Sequence, residues 1–146
     1  MILVNKWDLI EKDNKTMEAY LKTIHEKIAP FTDVPVIFVS ALDKTRIFKA
    51  VDVAMEVYEN RRKRIATHEL NEFMLKVIED YPPPSVKGKF IKIKYVTQLH
   101  SNTPAFALFC NHPQYIRESY TRYLENKLRE QFNFQGVPIA MFFRKK

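Results

Sequence analysis

Two short clusters in this 146-residue chain hold the residue types that base recognition needs. Asn5-Lys6-Trp7-Asp8 follows the apolar run Met1-Ile2-Leu3-Val4, and Ser40-Ala41-Leu42 follows Val36-Ile37-Phe38-Val39. A carboxylate such as that of Asp8 can accept two hydrogen bonds from the adjacent ring and exocyclic N–H groups of guanine. Adenine lacks that donor pair, so the pairing discriminates by leaving buried polar groups unsatisfied for the wrong base. Asn5 can offer its amide to a ring acceptor, Lys6 can lay its aliphatic stem over the base, and a backbone N–H near Ala41 can donate to the guanine oxygen. Trp7 either shields such a pocket or anchors its turn. Asn5 and Asp8 are also common turn formers, and in that reading they cap the helix that starts near Lys15.

The elements that must position these residues alternate. Met1 to Val4 and Val36 to Val39 are continuous apolar runs of the kind found in parallel strands covered on both faces. Between them, Met17, Tyr20, Leu21, Ile24 and Ile28 recur at helical spacing, with Pro30 as the stop. Ile47, Val51, Ala54, Met55 and Tyr58 predict a second helix running into Arg61-Arg62-Lys63-Arg64. Strand, helix, strand, helix implies α/β architecture, and both clusters then sit at the carboxyl ends of strands, where open α/β sheets bind ligands.

The remainder changes style. Thr67 is a plausible N-cap for a helix carrying Leu70, Phe73, Met74, Val77 and Ile78, which Tyr81-Pro82-Pro83-Pro84 ends. Lys89 to Val96 alternates as a half-exposed strand, with Ile91, Ile93 and Tyr95 on one face and Lys92 and Lys94 on the other. Ala105 to Cys110 reads as its partner. Pro113 suits the first turn of a long helix with Ile116, Tyr120, Tyr123, Leu124, Leu128 and Phe132 on its stripe, and Val137 to Phe143 supplies a last strand. The fold class is thus α/β followed by a small α+β module of helix, strand, strand, helix, strand.

Composition narrows the chemistry. Only two glycines occur, Gly88 and Gly136, where average usage of about 7% gives roughly ten. No glycine-rich phosphate cradle is encoded in these residues. Cys110 is the single cysteine, too few for a disulfide within the chain or a cysteine-based zinc site, and it reads as core. His25, His68, His100 and His112 lack metal-ligand spacing, and Ser40 belongs to no hydrolase triad pattern. No apolar run is long enough for a membrane span and no secretion signal is visible, so a reducing, cytoplasmic setting without a membrane partner is expected. Of the formal net charge of +7, residues 1–66 carry +2 (12 basic, 10 acidic) and residues 67–146 carry +5 (12 basic, 7 acidic). The excess suggests an anionic partner, nucleic acid first. Lys87, Lys89, Lys92 and Lys94, with Arg144, Lys145 and Lys146, could face phosphates, or the strand lysines could serve solvation and edge protection. Arg61 to Arg64 either complement a helix dipole or touch RNA.

Asn5-Lys6-Trp7-Asp8 and Ser40-Ala41-Leu42 resemble the base-recognition motifs of translation-factor-class GTPases. Arg64-Ile65-Ala66-Thr67 with Leu70-Asn71, Pro104 to Phe109, Ser119 to Asn126 with Leu128-Arg129-Glu130, Phe134 to Ile139 and the closing Phe143 to Lys146 narrow the resemblance. Together they are similar to the C-terminal part of the bacterial double-GTPase family Der, also called EngA. The resemblance implies residues 1–62 as the C-terminal portion of a P-loop GTPase domain and residues 67–146 as a KH-like αββαβ domain.

It further implies GTP or GDP as ligand, bound here through the base alone by Asn5, Lys6, Asp8, Ser40 and Ala41. Magnesium would belong to the intact protein and not to this fragment. The implied role is maturation of the large ribosomal subunit, with ribosomal RNA and the other GTPase domains of the parent chain as partners. The family's P-loop, switch and Asp-x-x-Gly segments have no counterpart in these residues, so the fragment alone is expected to be inactive, with no catalytic residue and no metal site. The KH-like module also lacks the Gly-x-x-Gly loop of ordinary KH domains. The competing expectation is a freestanding RNA- or protein-binding KH-like module with a vestigial guanine motif.

Overall fold

In the computed structural model, residues 1–11, 15–29 and 31–145 are described, and the chain divides into two compact units, Met1–Asn60 and Arg61–Lys146. The helix stop assigned to Pro30 and the terminal Lys146 lie outside the described residues.

The first unit is built on two short strands, β1 (Ile2–Val4) and β2 (Val36–Phe38), paired in parallel with Leu3 opposite Ile37. Helix α1 (Thr16–Ile28) makes the crossover that parallel pairing requires. The pairing continues past the strands, where the Val39 N–H donates to the Val4 carbonyl at 2.8 Å and the Trp7 N–H donates to the Val39 carbonyl at 3.0 Å. Successive β2 side chains take opposite faces. Ile37 and Val39 pack on Ala50, Ile47 and Val53 of helix α2 (Ile47–Arg62). Phe38 turns the other way, its ring 4.3 Å from Trp7, which stands edge-on to Tyr20 of α1.

Helix α2 forms where expected, but a different stripe is covered. Val51, Met55 and Tyr58 are exposed while Ala50 is buried. A sheet of two strands is narrower than a helix face is long, so it covers only the side that Ala50 occupies.

The second unit contains helix α3 (Thr67–Asp80), strands β3 (Ile93–Gln98) and β4 (Ala105–Cys110), helix α4 (Glu118–Phe132) and strand β5 (Ala140–Lys145). Its sheet runs β3-β4-β5, with β3 antiparallel and β5 parallel to the central β4. Phe106, Leu108 and Cys110 share one face of β4, and both helices bury their stripes in the same cluster, through Leu70 and Met74 of α3 and Leu124 and Leu128 of α4. Arg129 closes the end of α4, pairing with Glu125 at 2.9 Å and donating to the Phe134 carbonyl at 3.0 Å.

Several boundaries and one strand face differ from the sequence reading, and the last strand, expected from Val137 to Phe143, is Ala140–Lys145. Ala66, not Thr67, caps α3, because its carbonyl accepts the first helical bond, from Leu70 N–H. The segment predicted as strand from Lys89 opens instead with a two-residue turn that bridges Val86 to Lys89, and β3 starts at Ile93. A bulge between Ile93 and Tyr95 then shifts the inward face, so Val96 is buried and Tyr95 stacks on Phe109 with ring centres 4.8 Å apart. Pro113 starts only a short 3-10 turn, Pro113–Tyr115; Ile116 and Arg117 are extended, and α4 begins at Glu118. Both glycines occupy turns with positive φ, 72° at Gly88 and 76° at Gly136.

The outer edge of β3 is sealed by a side chain. Asn71 of α3 accepts from the Val96 N–H at 2.8 Å and donates to the Val96 carbonyl at 2.7 Å. Replacing Asn71 with Ala removes both bonds and strands two polar groups of a buried residue, an expected loss of about 2 to 4 kcal/mol. Asn71→Asp should lose a comparable amount, since a carboxylate cannot donate to the carbonyl. Urea unfolding of the two variants checks this, and an unchanged midpoint for Asn71→Ala would show the seal to be dispensable.

Candidate functional site

Parallel pairing places the carboxyl ends of β1 and β2 side by side, and the two clusters leave the sheet together. Asn5 Oδ1 accepts a hydrogen bond from the Ala41 N–H at 3.2 Å, across 36 residues of chain. The N–H that the sequence reading offers to a guanine oxygen is therefore donated here to Asn5, and the Asn5 amide keeps its own N–H donors outside that bond. Lys6 takes a left-handed conformation, φ 60° and ψ 34°, uncommon for a residue with a side chain. The turn is held by its successor: Trp7 is 6% exposed, wedged among rings, and its N–H is bound to Val39. Trp7 thus anchors the loop. Asp8 follows in a 3-10 turn, half-buried, while Asn5 and Lys6 are exposed.

Ser40 is buried, and its hydroxyl oxygen accepts from the Asp43 N–H at 3.1 Å. Its backbone exchanges two hydrogen bonds with Thr45, so the segment from Ser40 to Thr45 is a closed turn. Ser40 shapes this loop and Ala41 carries the link to Asn5. The structure brings Asn5 and Ala41 into direct contact and sets Lys6 and Asp8 on the adjoining turn.

In the second unit the basic residues that the sequence singles out fall into two groups. Arg61, Lys63 and Arg64 donate to backbone carbonyls: Arg61 Nε to Asn102 at 2.7 Å, Lys63 Nζ to Phe132 at 2.8 Å, and Arg64 to Leu99 and Ser101. Gln98 completes this tie, accepting from the Ile65 N–H and donating to the Lys63 carbonyl, both at 2.9 Å. The sequence allows this run either a helix dipole or RNA; these bonds give it a third role, fastening the segment before α3 to the β3–β4 loop and the end of α4. Lys87, Lys92 and Lys94 are exposed, as are Arg144 and Lys145 on β5. Lys89 is exposed too, its ammonium 5.6 Å from the centre of the Tyr115 ring. One signal for this face was present in the sequence and was missed: no acidic residue occurs between Asp80 and Glu118, while Lys87, Lys89, Lys92, Lys94 and Arg117 do.

Two titratable groups lie in the core. Burial pushes the Cys110 thiol up, opposed by a backbone hydrogen bond from His112. Burial also raises the Tyr120 hydroxyl, helped by Tyr123 and Tyr81, and that hydroxyl donates to the Tyr81 carbonyl at 2.9 Å. Among the described residues no group of three His, Cys, Asp or Glu side chains could hold a metal ion, and no helix is long and apolar enough to cross a membrane.

Residues 64–144 match the family described as the KH-domain-like of EngA bacterial GTPase enzymes, C-terminal. Over its whole length the chain is 56% identical to the GTPase Der of Christiangramia forsetii, 55% to that of Flavobacterium johnsoniae and 54% to that of Flavobacterium psychrophilum. It covers 34%, 33% and 34% of those proteins, so it spans about a third of the length of the curated relatives it matches.

The two core groups set an alkaline limit. Both are held protonated by the fold above their ordinary pKa, so their contribution to stability is complete below about pH 8.5 and is lost as pH rises and the unfolded thiol and phenol ionise. The urea midpoint should fall steadily above that pH. Iodoacetamide at pH 8 should label Cys110 in denaturant and leave it unlabelled in the folded chain, as read by intact mass; rapid native labelling would contradict a buried, protonated thiol.

Proposed function

We propose, from the premise that this chain belongs to the family of the bacterial EngA GTPases, that it is the C-terminal part of a GTP-binding protein acting in maturation of the large ribosomal subunit. In this reading residues 1–62 close a P-loop GTPase domain and residues 67–146 form its KH-like domain, working in the cytoplasm on ribosomal RNA.

The observation that carries the reading is the hydrogen bond from Ala41 to Asn5, which joins the two clusters at one end of a parallel sheet. There Asp8 accepts from the paired N–H groups of guanine, the Asn5 amide donates to a ring nitrogen, and the Lys6 stem covers the base. These side chains fit a base. The phosphates and Mg2+ of the nucleotide fall, in this proposal, to the larger part of the protein that the relatives' length implies, and no step of phosphoryl transfer is assigned to the residues described.

A second observation supports the same division of labour. An isolated two-stranded sheet is marginal in water, and α2 presents Phe48, Val51, Met55 and Tyr58 to solvent at helical spacing, Phe48 being 83% exposed. A larger α/β domain would cover that stripe. The competing reading, a freestanding RNA- or protein-binding module, draws on the second unit's own core. RNA binding by residues 67–146, combined with no guanine nucleotide binding by the longer protein, would favour it.

The test uses the longer protein, this chain joined to the remaining two thirds that its relatives carry. Asp8→Asn should weaken GDP binding by about 100-fold or more, because charge-assisted hydrogen bonds to the base are lost. It should also improve xanthine nucleotide binding, since the new amide can donate to the oxygen that replaces the amino group. Unchanged GDP affinity would remove Asp8 from the base site. Residues 1–146 by themselves should release no phosphate from GTP, and magnesium-dependent release by the pure chain would overturn that expectation.

A further inference from the structure

We propose that the turn at Val86 to Phe90 is a stacking platform for an unpaired base of single-stranded RNA, with Phe90 as the ring and the neighbouring lysines as phosphate contacts. The inference rests on the RNA-binding reading above and names a site and a binding mode within it.

The turn is rigid for its size. Val86 and Lys89 exchange two backbone hydrogen bonds, at 3.2 and 3.0 Å, around a two-residue loop. Both loop residues are left-handed, Lys87 at φ 52° and Gly88 at φ 72°, the geometry of a type I′ hairpin turn. Nothing crowds Gly88, so the loop tip is open on its outer side. The segment that follows is pinned from β4's end: the Asn111 amide donates to the Phe90 carbonyl at 3.0 Å and accepts from the Lys92 N–H at 2.9 Å.

The backbone of Phe90 is therefore fixed while its side chain is 81% exposed. Its neighbours Ile91 and Ile93 are buried, which leaves Phe90 on the solvent side of the segment. A single exposed apolar residue is ordinary on a protein surface. What distinguishes Phe90 is its company, since Lys87, Lys89 and Lys92 stand within three positions of it on an exposed, acid-free segment. Exposed aromatic faces among cations are the means by which proteins hold single strands, the ring stacking on a base and the cations following the backbone. A duplex hides its base faces, so the platform should prefer an unpaired strand. A partner of other chemistry, such as an acidic protein surface, would use the lysines without needing a flat ring.

The test compares the 146-residue chain with Phe90→Ala, Phe90→Tyr and the double variant Lys87→Gln/Lys89→Gln, by fluorescence anisotropy on a mixed-sequence 12-nucleotide RNA and on a blunt RNA duplex of the same length. Phe90 is exposed, so circular dichroism should find the variants folded. The expected result is single-strand binding weakened about 5- to 150-fold in Phe90→Ala, the span of one lost base stack, largely restored in Phe90→Tyr, with duplex binding unchanged. The salt slope should stay constant in Phe90→Ala and shrink by up to about 1.4 in the double lysine variant, near 0.7 for each lost contact to a single strand. Single-strand binding unaltered in Phe90→Ala would overturn the platform and leave the RNA reading standing on lysines. Failure of the unmodified chain to bind either RNA would overturn both.

Discussion

An amide side chain is the closest side-chain mimic of a peptide group, and four of them hold this protein's short sheets and loops in place. Asn71 pairs with both backbone groups of Val96, Gln98 with the backbone of Lys63 and Ile65, and Asn111 with the carbonyl of Phe90 and the N–H of Lys92. Asn5 does half as much, accepting from Ala41 alone. Sheets of two and three strands have a high ratio of edge to interior, and buried backbone groups need partners. Amides meet that demand because each carries a donor and an acceptor in nearly the spacing of another strand. The same four residues fix the joined loops after β1 and β2, the docking of α3, and the pinned segment behind Phe90.

The two loops proposed to hold a base are joined by very little structure. Two strands of three residues, extended by the bonds of Val39 with Val4 and Trp7, bring residues 5 and 41 together. Trp7 supplies the stiffness, since its burial between Phe38 and Tyr20 holds Lys6 in a left-handed turn that would otherwise relax. Ser40, buried and bound to Asp43, does the same for the second loop. The first loop is thus held by Trp7, which lies outside the proposed base set, and the second by Ser40, a member of that set that acts here on the loop backbone.

Positive charge is divided by geometry, into residues that end on carbonyls and residues that stay on the surface. Arg61, Lys63 and Arg64 end on carbonyls, where a charged donor strengthens each bond and ties the start of the second unit to its own loops. The lysines from 87 to 94 remain on the surface. The run from Arg61 to Arg64 finds carbonyls within reach, while the spaced lysines lie on a stretch of chain without acidic residues.

Much of the architecture was legible beforehand, because it follows from periodicity. The parallel strands rest on continuous apolar runs, and the helices and the αββαβ order of the second unit on apolar runs and patterns of period 2 or 3.6 that local residue types specify. The two polar clusters that follow the strands were legible as residue types as well. What the sequence could not determine was every feature set by a partner distant in the chain. The bulge that turns Tyr95 onto Phe109, the cap at Ala66, the exposed stripe of α2, the amide seals and the captured arginines each depend on which surface the fold brings opposite. Periodicity tells which side of an element is apolar, while tertiary structure decides how much of that side is covered and which polar groups meet. For this protein, the two polar clusters after the strands and the basic excess of the second unit were written in the sequence. That Asn5 meets Ala41, and that Phe90 stands out from a rigid turn among lysines, was decided only when strands and side-chain amides came together in three dimensions.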